Sequence, residues 1–341
     1  MRDITIKPST VRMLLPGLNA VFPPGLALSP AQAREARLRR AAPPSAEPSP
    51  PKVVTVRMAK GGVGKTTLVG NLGAALAMMG HKILLIDGDP QASLTLLMGL
   101  DPWADGFSHI GELMHRAYRR EPARLDEAVV PVWPGGHLDI VPADLSLTAA
   151  DHWMMGAVSR EYAFARLLRE NAGFFARYDA VLVDTAPATS LLTNALMMAS
   201  PEALAVAMLD GSSVKAMEVL EANIDEINAA IPGLDMGFHV VANGWHGSYA
   251  SYRKSLESLL RLYPGRINST VLPWSAAFKR QIDPDDPLCS GTVMEREPSS
   301  DSAQAVAELA RSLASRYAIL LGGASPSPLD FDSQAEAGEA A

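Results

Sequence analysis

The sequence predicts an α/β protein in which a doubly wound, mostly parallel sheet is flanked by helices. Three observations support this fold class. Short apolar runs typical of buried strands alternate with longer helical stretches, and one glycine-rich turn joins a strand directly to a helix. Since 48% of the residues are apolar, a sizeable core is available. Strand–helix alternation predicts that helices connect parallel strands and cover both faces of the sheet.

The individual elements follow from run length and side-chain type. Five runs have the length and the branched residues of buried strands: Val53–Met58, Lys82–Asp87, Ala180–Asp184, Ala203–Leu209 and Phe238–Ala242. Five longer stretches between and after them are predicted helices: Thr66–Met79, Leu191–Ser200, Val214–Ala230, Tyr249–Tyr263 and Ser302–Tyr317.

The two ends of the chain differ from its middle in composition. Residues 1–51 hold seven basic and three acidic side chains and two proline-rich segments, which predicts a flexible basic arm and linker. Its basic stretch, Arg34–Arg40, is a candidate for binding DNA or a partner. Residues 322–341 are acidic and proline-punctuated, which predicts a disordered tail. Residues 52–321 show no internal repeat and are expected to form one domain.

Composition excludes several classes of function. The single cysteine, Cys289, excludes a disulfide framework and a cysteine-ligated cluster within one chain. No apolar run has the length of a membrane helix, so a cytoplasmic protein without a membrane partner is expected. The net charge of −7 means that any contact with DNA must come from a local basic patch.

The most informative segment follows the first predicted strand and reads Lys-Gly-Gly-Val-Gly-Lys-Thr-Thr. A strand, a glycine-rich turn and a helix start would aim backbone N–H groups at one concave spot, as phosphate binding requires. In such a loop the second lysine contacts the β- and γ-phosphates, and the next threonine joins a Mg²⁺ shell. The predicted nucleotide-binding residues are Lys60, Gly61, Gly62, Val63, Gly64, Lys65, Thr66 and Thr67.

This loop departs from the usual P-loop pattern, because Ala59 stands where that pattern has a glycine. Together with Lys60 it resembles the deviant Walker A motif of the ParA/MinD group of P-loop NTPases. Residues 82–93 resemble the family's switch I segment, and residues 178–187 its Walker B strand and switch II. Residues 138–143 and 271–274 resemble weaker landmarks. Over roughly residues 52–320 the chain resembles the ParA family of DNA-partitioning ATPases.

The resemblance implies roles for individual residues. Lys60 would reach the partner subunit's nucleotide, Asp89 would orient the attacking water, and Asp184 would hold Mg²⁺ through water. Thr67 would contact the α-phosphate. Asp87 would join the Mg²⁺ site directly, cap the loop, or support the metal indirectly through the groups that bind it.

Adenine contacts are implied for Asn243 and Pro273, for which a turn asparagine and a turn proline are equally open alternatives. Lys60, Lys65 and Asp89 are the predicted catalytic residues, and Thr66, Asp87 and Asp184 the predicted metal site.

The same resemblance implies cofactors and partners. ATP and Mg²⁺ would join two chains into a dimer with the nucleotides at the interface. That dimer would bind double-stranded DNA without sequence preference and associate with the nucleoid. A ParB-like adaptor would stimulate slow hydrolysis, which would dissolve the dimer.

A candidate DNA surface lies between Trp245 and Arg280, a segment that contains six basic residues and one acidic residue, Glu257. Such a patch would bind phosphates without reading bases, although an ordinary solvated basic face is the alternative. The candidate residues are Arg253, Lys254, Arg261, Arg266, Lys279 and Arg280.

Two alternative functions remain open. The same ATPase could position a protein cargo, such as a chemoreceptor array or a microcompartment, along the nucleoid. The chain could instead be a DNA-transfer or replication accessory protein that binds DNA without a working ATPase cycle, although loss of Asp89 or Lys60 would be expected there and both are present. The acidic tail argues against MinD-like membrane binding, the missing cysteines against iron–sulfur relatives, and the absence of a C-terminal tyrosine cluster against the related kinases.

Overall fold

The computed structural model describes residues 52–103, 107–133, 137–231, 234–246, 249–282 and 290–319. The predicted arm of residues 1–51 and the predicted tail of residues 322–341 lie outside the described residues. The extent of the predicted domain, residues 52–321, stays a prediction. Within the described ranges, no helix is both long enough and apolar enough to cross a membrane.

The described residues form one seven-stranded sheet. Its strands are β1 (Lys52–Arg57), β2 (Ile83–Gly88), β3 (Val130–Pro131), β4 (Leu138–Val141), β5 (Ala180–Thr185), β6 (Glu202–Met208) and β7 (Gly237–Asn243). They lie in the order β3-β4-β2-β5-β1-β6-β7, and only the β3–β4 pair is antiparallel. The carboxyl ends of the parallel strands therefore meet at one edge, with β1 and β5 side by side near its centre.

Helices connect and cover these strands. They are α1 (Lys65–Met78), α2 (Ser93–Leu97), α3 (Ile110–Tyr118), α4 (Ala149–Met155), α5 (Ala163–Glu170), α6 (Ala172–Phe175), α7 (Leu191–Met197), α8 (Ser213–Ala230), α9 (Ala250–Leu262), α10 (Ala276–Lys279), α11 (Val293–Arg296) and α12 (Asp301–Tyr317). Short 3₁₀ helices lie at Leu125–Glu127, Leu145–Thr148 and Arg160–Tyr162.

The core is divided by the sheet into two apolar layers. Side chains alternate along each strand, so Val54 and Val56 of β1 pack on one side and Val53 on the other. Helices α1, α8 and α12 cover the first side, and α3, α5 and α7 cover the second. Each fully buried valine, leucine or isoleucine contributes about 1.5–3 kcal/mol by leaving water, so this packing holds the strand ends in fixed positions.

The predicted fold class is confirmed, and the predicted elements are present. All five strands and four of the five helices are found with their ends displaced by at most one residue. Helix α7 was expected to continue to Ser200 but ends at Met197. Pro201 disfavours helical backbone at the residue before it, and the Ser200 hydroxyl instead donates to the Val53 carbonyl at 2.9 Å.

Candidate functional site

The phosphate-binding turn lies between the end of β1 at Arg57 and the start of α1 at Lys65. Gly62 (φ 72°) and Gly64 (φ 95°) adopt left-handed backbone that favours glycine. A Cβ on Gly64 would also lie 2.6 Å from the Asn243 side-chain nitrogen. The turn therefore requires these glycines, and it leads into the positive end of a helix of 14 residues.

Lys65 is buried at this turn, and its Nζ donates to the Lys60 carbonyl at 3.2 Å. Burial lowers the pKa of its ammonium group, the Asp184 charge opposes that shift, and the Arg57 charge adds to it. A phosphate group would supply the anionic partner that stabilises the charged form of Lys65.

Asp184 and Thr66 are brought together from different elements. Asp184 lies near the end of β5, and its Oδ2 accepts a hydrogen bond of 2.6 Å from the Thr66 hydroxyl at the start of α1. Burial, with the neighbouring Asp87 charge, raises the pKa of Asp184 to about 8. A divalent cation would offset this buried negative charge, and a hydroxyl with a carboxylate is the oxygen donor set that Mg²⁺ prefers.

Asp87 lies beside Asp184, because the two residues are paired in register on β2 and β5. Its Oδ2 accepts from the Thr95 backbone N–H and hydroxyl at 2.9 and 2.8 Å, and its Oδ1 accepts from the Asp89 N–H at 3.1 Å. Burial raises its pKa to about 6. These contacts are those of the loop-capping alternative, and direct metal binding by Asp87 stays a prediction.

Asp89 follows β2 and lies on the predicted switch I loop. Its Oδ1 accepts from the Gln91 N–H at 2.9 Å, and the side chain is only half-buried. It lies close enough to the site that its charge raises the pKa of both Asp184 and Lys65. Lys60, Lys65, Thr66, Asp89 and Asp184 together form what we call the phosphate edge.

Lys60 makes a contact that sequence reasoning missed. Its Nζ lies 2.6 Å from Asp210 Oδ2 and 2.6 Å from Ser212 Oγ, in the turn between β6 and α8. Burial alone would raise the pKa of Asp210, but the hydrogen bonds from Lys60, Ser212 and Ser213 outweigh burial and lower it. An acid directly after a buried parallel strand, followed by Gly-Ser-Ser, was the available signal for this partner.

The two candidate adenine residues lie at the same edge of the sheet. The Asn243 side chain at the end of β7 donates to the Val63 carbonyl at 2.8 Å, which braces the phosphate-binding turn. Pro273 forms an isolated bridge with Trp245, just beyond β7. Thr67 is half-buried in the first turn of α1, and its carbonyl accepts from Asn71 at 2.7 Å. The adenine and α-phosphate roles stay predictions.

Arg57 is a second functional candidate that the sequence did not single out. It is the last residue of β1, and its side chain is buried. Its Nη1 donates to the Pro187 carbonyl at 2.9 Å, and its Nη2 donates to the Thr189 hydroxyl at 3.0 Å. The arginine therefore connects the strand before the phosphate turn to the loop after β5.

The six predicted DNA-binding residues are all exposed. Arg253, Lys254 and Arg261 lie on α9 within an arc of about 100° around its axis, and we call these three the α9 surface. The other three are engaged locally: Arg266 stacks over Phe238, Lys279 over Trp274, and Arg280 pairs with Glu297 at 2.6 Å. The structure thus groups three of the six on one helix.

Comparisons with known proteins agree with this architecture. A family model described as an AAA domain matches residues 51–234, more than half of the chain. A ParA family protein of Chlamydia trachomatis is 32% identical over 64% of this chain and 82% of its own length.

Two solved structures have a similar fold. They are cobyrinic acid a,c-diamide synthase from Mycobacterium smegmatis with a bound ATP analogue and magnesium, and a Cyanothece McdA–ATP complex. The first has a TM-score of 0.63 at 22% identity, covering 79% of this chain and 96% of its own. The second has a TM-score of 0.64 at 19% identity, covering 78% and 97%. Together with the deviant phosphate turn, the sequence matches assign this chain to the ParA family of P-loop ATPases.

Proposed function

We propose that this protein is an ATP-driven DNA-partitioning switch that binds Mg²⁺ and ATP at the phosphate edge. The observation that carries the proposal is the convergence of Lys65 and Thr66, at the start of α1, with Asp184, near the carboxyl end of β5, the strand beside β1. Phosphoryl transfer requires charge neutralisation, which these three residues would supply together with Mg²⁺, and a positioned nucleophile, for which Asp89 is the candidate.

Each residue has a distinct part in the proposed reaction. The backbone N–H groups of the turn and the Lys65 ammonium would hold the β- and γ-phosphates. Thr66 and Asp184 would hold Mg²⁺, which would neutralise phosphate charge when bound. Asp89 would orient the attacking water, since it is half-buried and lies within electrostatic reach of Lys65.

In the proposed dimer, Lys60 would leave Asp210 and bind the partner subunit's nucleotide. Its side chain and that of Asp210 are 28% and 42% exposed, and an ion pair so exposed contributes only about 0–1 kcal/mol. Breaking the Lys60–Asp210 ion pair so that Lys60 can contact the partner subunit's nucleotide would therefore cost little free energy. ATP would favour the dimer through contacts that only the dimer makes.

A mixed-subunit assay tests whether Lys60 acts across the dimer. Lys60→Ala and Asp89→Ala are each expected to lose partner-stimulated hydrolysis when pure. If Lys60 acts in trans, mixing the two restores activity, because one site of each mixed dimer keeps its own Asp89 and receives the partner's intact lysine. No recovery in a mixture that does form mixed dimers would assign Lys60 to its own subunit's nucleotide.

DNA binding would follow from dimerisation, because two copies of the α9 surface on one body bind much more tightly than one. Binding to random-sequence duplex DNA is measured by fluorescence anisotropy with ATP, ADP or no nucleotide, across a salt series. Salt-sensitive binding with ATP only is the expected result. ATP-dependent dimerisation without DNA binding would instead favour a protein cargo or partner. Equal DNA binding with ATP, with ADP and without nucleotide would contradict the proposed nucleotide-dependent switch.

A further inference from the structure

Arg57 is a buried cation whose partners are all neutral. The side chain is 1% exposed, and among the described residues it makes no ion pair. Its acceptors are the carbonyls of Ala186 and Pro187 and the hydroxyl of Thr189, and its Nε has no hydrogen-bond partner among those residues. Burial lowers its pKa to about 10, so the group is still charged at neutral pH.

A buried charge of this kind is costly, and packing alone would favour an apolar side chain. Arg57 ends the strand that leads into the phosphate turn, and its charge is close enough to lower the pKa of Lys65. An anionic ligand at this turn would compensate both cations. The position of Arg57 is therefore better explained by the ligand and the loop than by the core.

The loop that Arg57 holds has few other anchors. It follows Asp184 and Thr185 and leads into α7, whose first turn is capped by Ser190. The Thr185 hydroxyl donates to the Val56 carbonyl at 2.7 Å, which fixes the strand end. Beyond it, Pro187 and Thr189 are exposed. Arg57 thus connects the exposed part of the loop to β1.

We propose that Arg57 is a positioning residue that clamps residues 186–189 beside the phosphate turn, in the arrangement that hydrolysis requires. The proposal rests on the function proposed above. The planar guanidinium reaches a carbonyl and a hydroxyl at once, which a lysine ammonium does not reproduce in the same geometry. Because Lys65 and the turn itself are untouched, losing the clamp slows hydrolysis and leaves ATP binding intact.

Thr189 is the best position for testing the clamp, because it is exposed and its substitution should not disturb the core. Thr189→Val removes the hydroxyl acceptor from an exposed residue, and Thr189→Ser keeps it. Thr189→Val is expected to lower the single-turnover hydrolysis rate on the order of tenfold while the affinity for Mg²⁺ and ATP stays within about twofold. Thr189→Ser restores the rate. Arg57→Lys keeps the positive charge but loses the two guanidinium N–H groups that donate to Pro187 and Thr189, so it is expected to behave like Thr189→Val.

Amide hydrogen exchange of the nucleotide-free chain tests the clamp independently of ATP hydrolysis. Amides of residues 186–192 exchange faster in Thr189→Val and Arg57→Lys, whereas those of residues 89–95 do not change. Wild-type exchange and a wild-type rate in Thr189→Val would overturn the proposal. Equal losses of affinity and rate would also overturn it, because they indicate general damage to the site. If the wild type neither binds nor hydrolyses ATP, the proposed function fails, and exchange still decides whether the clamp exists.

Discussion

The phosphate edge and the α9 surface are built in opposite ways. At the phosphate edge, side chains come from α1 and from strand ends, and most are wholly or partly buried with defined partners, such as the Thr66–Asp184 hydrogen bond of 2.6 Å. On the α9 surface, Arg253, Lys254 and Arg261 are exposed, and none makes an ion pair within the described ranges. The first region fixes geometry, and the second supplies only charge.

This difference predicts different responses to substitution. A buried, partnered group acts in a low dielectric, where the loss of one charge leaves its neighbours uncompensated. An exposed cation acts together with others and is screened by salt. Single substitutions should therefore have large effects at the phosphate edge and small, additive effects on the α9 surface.

The largest effect is expected for Lys65→Ala. Removing this buried ammonium is expected to weaken ATP binding on the order of a hundredfold, measured with a fluorescent analogue. The matched control is Lys215→Ala, which removes an exposed lysine from α8. Wild-type affinity in Lys65→Ala, with the fold intact, would show that the phosphates do not contact this lysine and would remove the basis of the comparison.

A similar reduction is expected for Asp89→Ala, but in hydrolysis rather than in binding. Loss of the residue that orients water is expected to lower the hydrolysis rate about a hundredfold while ATP binding persists, so the DNA-bound state accumulates. Asp225→Ala, on the exposed side of α8, is the control. Hydrolysis at the wild-type rate would show that the predicted switch I residue is wrongly assigned.

Local sequence patterns predict contacts within a continuous segment but not contacts between distant segments. The phosphate turn is a continuous segment, so Lys60 to Thr67 could be predicted from local spacing. The Lys60–Asp210, Asn243–Val63 and Arg57–Thr189 contacts join segments distant along the chain. They depend on β1 lying between β5 and β6, which no local pattern specifies.

The elements between Ile110 and Phe175 were missed for a related reason. Helices α3, α4, α5 and α6 contain nine residues or fewer, and such short segments carry too few turns for a clear apolar period. The β3 strand has only two residues and is held by pairing with β4. Tertiary packing against the second face of the sheet stabilises these segments, and it was not visible in the sequence.

A different kind of effect is expected in the pH dependence of stability. Folding raises the pKa of Asp184 from 3.8 to about 8, so the folded chain holds a proton that the unfolded chain releases. The stability contributed by Asp184 is therefore present below pH 4 and is lost as pH rises towards 8.

Asp184→Asn removes this dependence. In metal-free buffer the variant is expected to gain unfolding free energy over wild type progressively as the pH rises from 4 to 8, with little difference at pH 4. Urea denaturation at several pH values measures the difference, and Asp225→Asn is the control. A difference that does not vary with pH would show that Asp184 is ionised in the metal-free fold.

The smallest effect is expected for Lys254→Ala on the α9 surface. Because each dimer carries two copies of this lysine, losing both phosphate contacts should weaken ATP-dependent DNA binding several-fold and reduce the slope of log affinity against log salt by about 1.8, at about 0.9 per contact. Arg169→Ala, which removes an exposed arginine from α5, should leave that slope unchanged. Equal slopes in wild type and Lys254→Ala would exclude this lysine from the DNA contact and favour the basic stretch Arg34–Arg40. Adding Arg253→Ala and Arg261→Ala should lower the slope in further equal steps, because charges that act only through counterion release contribute independently.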